Sequence, residues 1–200
     1  MKTVAEIEIT TEGILLNGSR VETSGTGSEM LNNAYRHYVN DYPKFFKMDG
    51  LSKLGFLASE LLLQQMDEER FVPREDRAVV LFNRSGSIEA DRHYQSTISD
   101  ADNFFPSPSV FVYTLPNIVT GEIAIRNKYL GETSFCVLDH EDEQQMKQVI
   151  EATLMDGATT SILTGWVDYS DHSHFSARIQ LITKLKNELA NGRFSFRVEE

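Results

Sequence analysis

The residues of this sequence best suited to chemistry lie in a short acidic run that contains one histidine. His140 stands between Asp139 and Glu141, and Asp142 follows. A histidine beside a carboxylate can act as a general base, because its pKa lies near neutrality. A lone histidine between a strand and a helix is also typical of a solvated turn. We favour the turn and keep catalysis by His140 as the alternative.

The single cysteine of the chain lies in an apolar run. Cys136 stands between Phe135 and Val137. A nucleophilic thiol needs a lowered pKa, which a helix N-terminus or a basic neighbour provides, whereas burial raises it. This setting predicts a structural cysteine that behaves as a small hydrophobic residue. One cysteine allows neither an intrachain disulfide nor a cluster of thiolate ligands.

Two further motifs could bind ligands. Asp171, His172 and His174 include metal-ligating types, but histidines two positions apart share a face only in a strand, and the sequence names no third ligand. A polar turn before the last helix is the favoured interpretation. The loop at residues 22–28 has two glycines but no Lys-Ser or Lys-Thr pair after them, so it does not complete a phosphate-binding fingerprint. We predict neither a metal nor a cofactor.

Apolar periodicity predicts the elements that hold these residues. A period of two over residues 4–21, with a turn at Glu12-Gly13, predicts an N-terminal hairpin. Periods of three and four predict a helix over residues 30–40 and a second one from Leu51, capped by Asp49.

The rest of the chain alternates apolar runs with helical patterns. A strand buried on both faces is predicted at residues 78–82, and further strands are predicted at 133–138 and 161–164. Helices are predicted at 146–154 and 177–189, an irregular loop at 84–108 and a last strand at 194–196. Strands that alternate with helices indicate a layered α/β domain.

Composition and charge exclude several classes of protein. With 200 residues, 40% of them apolar, the chain can form one ordinary domain. Its net charge of −11 disfavours nucleic acids, anionic membranes and acidic carrier proteins as direct partners. No apolar run approaches the roughly 18 residues of a membrane span. The acidic N-terminus does not resemble a signal peptide, so we expect a cytoplasmic protein. The most basic residues are expected to be solvated surface: Lys44, Lys47, Lys53, Arg126 and Lys128.

One segment resembles a known family. Residues 106–126 read PSPSVFVYTLPNIVTGEIAIR, which is similar to the Pro-Asn, Gly and Ile-Arg pattern of β-ketoacyl-acyl-carrier-protein synthases. Gly131 and the strand at 133–138 follow in the family's order. Lys47-Met48-Asp49 resembles the start of an early helix, and Thr164-Gly165-Trp166 resembles a later glycine segment.

The resemblance implies a fold. It spans residues 45–170 and implies the N-terminal half of a thiolase-type fold, α/β and layered, with a mixed central sheet covered by helices. Residues 1–200 would then form a single domain. The N-terminal hairpin and the C-terminal helix and strand would be additions to it.

Two departures from the family argue against condensation. Counted without gaps, the position of the family's nucleophilic cysteine is His140, so no catalytic residue is predicted there. A condensing cysteine needs a helix N-terminus to lower its pKa and to stabilise an oxyanion. Asp139, Glu141 and Asp142 would oppose both effects. The second half of the family's fold, which supplies two catalytic histidines, is also expected to be absent.

The resemblance also implies a role. The family's dimers pair the strand before the nucleophile turn, which implies the dimer strand Thr133, Ser134, Phe135, Cys136, Val137 and Leu138. The first hypothesis is a non-catalytic partner in fatty-acid, polyketide or aryl-polyene biosynthesis. It would form a homodimer, or a heterodimer with a complete synthase, and meet acyl carrier protein only indirectly.

Two alternatives remain open at this point. One is an enzyme acting on acyl thioesters with a site rebuilt around His140. The other is a module that binds an acyl ligand. The remnant of an acyl site would comprise His140, Asp139 and Asn117.

Overall fold

Alternating apolar and polar side chains at the N-terminus form the first strands. Ala5, Ile7 and Ile9 are buried along one face of β1, and Ile14 on β2 joins them. The predicted hairpin is confirmed, and Asn17 and Gly18 turn the chain into one more short strand. The computed structural model describes residues 1–102 and 104–185. The strands are β1 (Lys2–Thr10), β2 (Gly13–Leu16), β3 (Ser19–Val21), β4 (Arg77–Asn83), β5 (Thr133–Val137), β6 (Ser161–Asp171) and β7 (His174–Thr183).

All seven strands join one mixed sheet in the order β3-β2-β1-β7-β6-β4-β5. Strands β4, β5 and β6 run parallel to one another, and the remaining pairs are antiparallel. Every residue of β4 is buried, as a strand covered on both faces requires. The prediction of a buried central strand at 78–82 is therefore confirmed.

Helices cover both faces of this sheet. They are α1 (Gly27–Tyr38), α2 (Gly50–Leu63), α3 (Ile88–Ser96), α4 (Pro108–Val112), α5 (Ile118–Asn127) and α6 (Glu143–Leu154), and a 3-10 turn lies at Pro43–Lys47. Helices α1, α2 and α5 pack on one face, in the larger core. Helix α6 packs on the other face through Ile150 and Leu154, against Val80, Phe82 and Trp166. The predicted α/β class, with a mixed sheet covered by helices, is confirmed.

The N-terminus of α2 is fixed by its cap. Asp49 is the residue before the helix, and its carboxylate accepts a hydrogen bond from the backbone N–H of Ser52 at 3.1 Å. A side-chain acceptor at this position satisfies one of the N–H groups that the first turn leaves unpaired. The predicted cap is therefore confirmed.

The predicted C-terminal helix is wrong over residues 177–183, which belong to β7. Ala177, Ile179 and Leu181 are buried, whereas Ser176 and Arg178 are exposed. This period of two lets β7 complete the core between β1 and β6, and pairing on both sides outweighs local helical preference. The remainder of that predicted helix, after Leu185, and the predicted strand at 194–196 lie outside the described residues.

The predicted loop at residues 84–108 is also wrong in part. It contains α3, of which only Ala90 is buried, so the helix left no strong apolar period in the sequence. Pro108 does not interrupt structure but occupies the first turn of α4, where a proline ring fits the helix.

Of the basic residues expected at the surface, Arg126 is largely buried and Lys53 is half-buried. Arg126 is only 11% exposed and lies 2.6 Å from Asp41 and 3.2 Å from the buried Glu60. Arg70 pairs with the same Glu60 at 2.5 Å. A buried carboxylate must be paired, which explains why these arginines turn inward. Lys53 on α2 is half-buried.

Candidate functional site

Strand β5 forms one end of the sheet. In the described part of the chain it pairs only with β4, from Val79 opposite Thr133 to Asn83 opposite Val137. The N–H of Leu138 extends this pairing to the carbonyl of Asn83 at 2.8 Å. The outer backbone groups of β5 are therefore free to pair with another strand.

The β5 edge has no feature that blocks such pairing. Its five residues include no charge and no proline, and Val137 is 52% exposed. The opposite edge differs, because β3 has only three residues and carries Arg20. Short length and charge are the usual protections of an edge strand. Of the two edges, β5 is the one suited to a partner.

An apolar surface adjoins the β5 edge. Ile125 on α5 is 67% exposed and Leu130 is 65% exposed. Gly121, Ala124 and Thr133 line the same shallow hollow of about 530 Å³. Exposed apolar side chains grouped beside an unpaired strand mark an interaction surface. We call Ile125, Leu130 and the β5 edge the edge surface.

Two of the three predicted acyl-site residues, His140 and Asp139, lie in the turn after β5, and the third, Asn117, lies at the start of α5. His140 is 65% exposed, and its Nδ1 lies 2.8 Å from Oδ1 of Asp139, which is 82% exposed. Asn117 is exposed at the start of α5, where its carbonyl accepts from the hydroxyl of Thr120 at 2.8 Å. No hydrogen bond or ion pair in the described ranges joins Asn117 to His140 or Asp139.

The helix N-terminus after this turn is already occupied. Asp142 caps α6, and its carboxylate accepts from the backbone N–H groups of Gln144 at 2.9 Å and Gln145 at 3.0 Å. These hydrogen bonds, the one from Gln145 first, lower the pKa of Asp142. The N–H groups of Gln144 and Gln145, which could otherwise stabilise an oxyanion, thus donate to the carboxylate of Asp142.

Cys136 lies on β5 with a half-buried side chain. Burial, and then the charge of Glu132, raise the pKa of this thiol. A raised pKa leaves little thiolate near neutral pH, which agrees with a structural cysteine.

The residues considered for metal binding form the turn between β6 and β7. His174 Nδ1 lies 2.9 Å from both carboxylate oxygens of Asp171. Across residues 1–102 and 104–185, no three His, Cys, Asp or Glu side chains group as metal ligands would. The polar turn is present, but a strand follows it instead of the predicted helix.

Comparisons with solved structures bear on the architecture. The ishigamide ketosynthase/chain length factor aligns with a TM-score of 0.65 at 16% identity, over 91% of this chain and 61% of that one. A structure of the ketosynthase ApeO in complex with its chain length factor ApeC, from Xenorhabdus doucetiae, aligns with a TM-score of 0.61 at 13% identity, over 92% and 78%. A β-ketoacyl synthase from Burkholderia phymatum aligns with a TM-score of 0.61 at 13% identity, over 95% and 60%. The chain has a β-ketoacyl-synthase-like fold of the thiolase type.

This ketosynthase-like fold confirms the resemblance drawn from residues 106–126. No family model and no curated protein matches the sequence, so the likeness is one of structure. The chain spans about three-fifths of the length of two of the three chains above. None of the helices described combines the length and the hydropathy that a membrane span requires.

The fold also contains a cavity that the sequence did not reveal. It lies at the N-terminus of α2 and is lined in part by Asp49, Lys53, Glu89 and Tyr169. These residues come from α2, α3 and β6, so only the fold brings them together. Burial raises the pKa of Asp49 to about 6. Burial and the nearby charges of Glu89 and Asp171 raise the pKa of Tyr169 to about 12.

The raised pKa of Asp49 predicts a pH-dependent penalty on stability. The folded protein holds this proton more tightly than the unfolded chain does, so stability falls as the pH rises from about 4 to about 6. Asp49→Asn keeps a capping side chain and removes the ionisation. Relative to wild type, the variant should gain on the order of 2 kcal/mol in unfolding free energy between pH 4 and pH 7. Urea titrations at both pH values measure this difference, and an equal difference at both would contradict the assignment.

Proposed function

We propose that this chain is a non-catalytic partner subunit that pairs through its edge surface with a complete β-ketoacyl synthase or with a second copy of itself. The observation that supports this proposal is the uncharged β5 edge beside the exposed Ile125 and Leu130. An antiparallel strand from a partner would satisfy the outer N–H and C=O groups of β5 and cover both side chains.

The names of the structural neighbours fit the same proposal. Two of them come from structures described as a ketosynthase with a chain length factor. We propose the corresponding role for this chain in a polyketide or aryl-polyene type of biosynthesis. The net charge of −11 agrees with a division of labour in which the synthase, and not this chain, receives the acidic carrier protein. A cytoplasmic location is part of the proposal.

The turn after β5 supports the non-catalytic part of the proposal. We place His140 at the position of the family's cysteine, where it is 65% exposed and its Nδ1 lies 2.8 Å from Oδ1 of Asp139. General bases and nucleophiles act best where water is excluded and oxyanion donors are free. Asp142 occupies those donors.

Restoring the thiol should not restore catalysis. We expect the thiol of His140→Cys to react with an acyl thioester no faster than that of Asp139→Cys, which offers an exposed thiol one position earlier. The acidic turn and the Asp142 cap act against a thiolate and an oxyanion in both variants. Mass spectrometry of the acylated protein over time measures both rates. Condensation by His140→Cys, or acylation at a rate far above that of the control, would contradict this account.

Pairing and catalysis can be tested on one preparation of the purified chain, alone and mixed with a condensing enzyme from its host. Sedimentation equilibrium should show a dimer or a one-to-one complex, and hydrogen exchange should slow at the amides of β5. A monomer under both conditions would overturn the partner role. Turnover of acyl thioesters that disappears in His140→Ala would overturn the non-catalytic role.

A further inference from the structure

A cavity of about 880 Å³ lies on the face of the sheet that is covered by α1, α2 and α5. Its walls come from α1, the 3-10 turn, α2, α3, α4, α5 and the end of β6. Pockets that hold small organic molecules have volumes of roughly 300 to 1,000 Å³. The volume of this cavity, which is open to solvent on one side, lies within that range.

One wall of this cavity presents a lysine without a partner. The side chain of Lys53 is half-buried on the first turns of α2, and within the described ranges it makes no hydrogen bond or ion pair. Burial lowers its pKa, while the charges of Asp49 and Glu89 raise it. Lys44 differs, because Glu122 holds its ammonium group at 2.5 Å. A partly buried ammonium that lacks a hydrogen-bond acceptor is stabilised by an anion.

The charge of the cavity differs from that of the chain. Lys44 and Glu122 neutralise each other. Lys47 and Lys53 line the cavity together with Asp49 and Glu89, so the two positive and two negative side chains balance. In a chain with a net charge of −11, this is a local region without excess negative charge.

Apolar side chains complete the walls. The partly exposed ones are Val110, Val112 and the ring of Tyr113. A ligand that matches these walls has an apolar body as well as a charged group.

We propose that this cavity binds a small organic anion, a carboxylate or a phosphate ester on an apolar chain, with its anionic group at Lys53 and its chain against Val110 and Val112. The site is independent of the edge surface, so binding here and pairing through β5 can fail separately.

Titration calorimetry with octanoate, octyl phosphate and 1-octanol tests the proposal. We expect at least one of the two anions to bind at least tenfold more tightly than the alcohol, and the tighter anion identifies the headgroup. Lys53→Met should weaken binding of that anion at least tenfold, whereas Lys147→Met, which changes an exposed lysine on α6, should not. Neither anion binding above the alcohol, or equal affinity in Lys53→Met and wild type, would overturn the proposal.

A second variant covers the case in which Lys53→Met fails to fold. Val110→Trp leaves the charges in place and fills the apolar part of the cavity. We expect it to weaken both anions at least tenfold, and unchanged affinity would also overturn the proposal. Ile125→Asp, at the edge surface, should leave anion binding unchanged.

Discussion

Aspartate in place of Ile125 should weaken pairing by at least about a hundredfold, because a partner would bury an unpaired charge. Ile125 is 67% exposed in the single chain, so its loss removes little buried surface there. The unfolding free energy of the chain should therefore change by less than about 0.5 kcal/mol. Sedimentation equilibrium measures the dissociation constant, and urea titration measures the stability.

A matched control lies at the far end of the sheet. Leu15 on β2 is 39% exposed and close to the β3 edge. Leu15→Asp introduces the same charge and should leave pairing intact. Val137→Lys places on β5 the residue type that natural proteins use to protect an edge, and it should reproduce the effect of Ile125→Asp. Equal pairing by Ile125→Asp and Leu15→Asp would remove the edge surface from consideration.

Gly165→Ala should destabilise the fold by about 4 kcal/mol or more, among the largest effects of a single substitution. Gly165 lies in β6 between β4 and β7 with a φ of 152°. An added Cβ would lie 1.9 Å from the backbone oxygen of Arg178 and 2.8 Å from Cα of Ile179. Only separation of two central strands could relieve these contacts. Urea or thermal unfolding measures the loss.

Gly121→Ala is the control for this prediction. Gly121 lies inside α5, and an added Cβ would meet no atom within 4 Å. Alanine is the better helix former, so this variant should be more stable by about 0.5 to 1 kcal/mol. A small effect of Gly165→Ala would show that β6 and β7 are not as close at this position as the structure has them.

The sequence predicted those parts of the fold in which local pattern and burial agree. Strand β4 and helix α2 are buried along almost their whole length, and their sequences are correspondingly apolar. Their residues alone therefore predicted both elements. Strand β7 was predicted as a helix. Its buried residues Phe175, Ala177 and Ile179 alternate with exposed ones, and this period of two was not recognised in the sequence. Helix α3 was missed because a helix with one buried residue has almost no apolar period.

The edge surface and the cavity also differ in how far the sequence predicted them. The strand of the edge surface was predicted from one apolar run and the resemblance around Pro116-Asn117, whereas the exposed Ile125 and Leu130 beside it were not. The cavity could not, because Asn32, Lys53 and Glu89 lie on three helices separated by long stretches of chain. Lys53 in particular is one of several lysines in the sequence, and only its burial distinguishes it.

Capture of the tagged chain from its native host tests the claim that it pairs with a condensing enzyme or with a second copy of itself. We expect a condensing enzyme, recognised by its own catalytic cysteine, to be recovered with wild type and with Leu15→Asp in near-equimolar amounts, or a second copy of the chain in its place. Ile125→Asp should lose that partner. Recovery of wild type as a monomer without any condensing enzyme, or an identical yield of partner with Ile125→Asp, would contradict the claim.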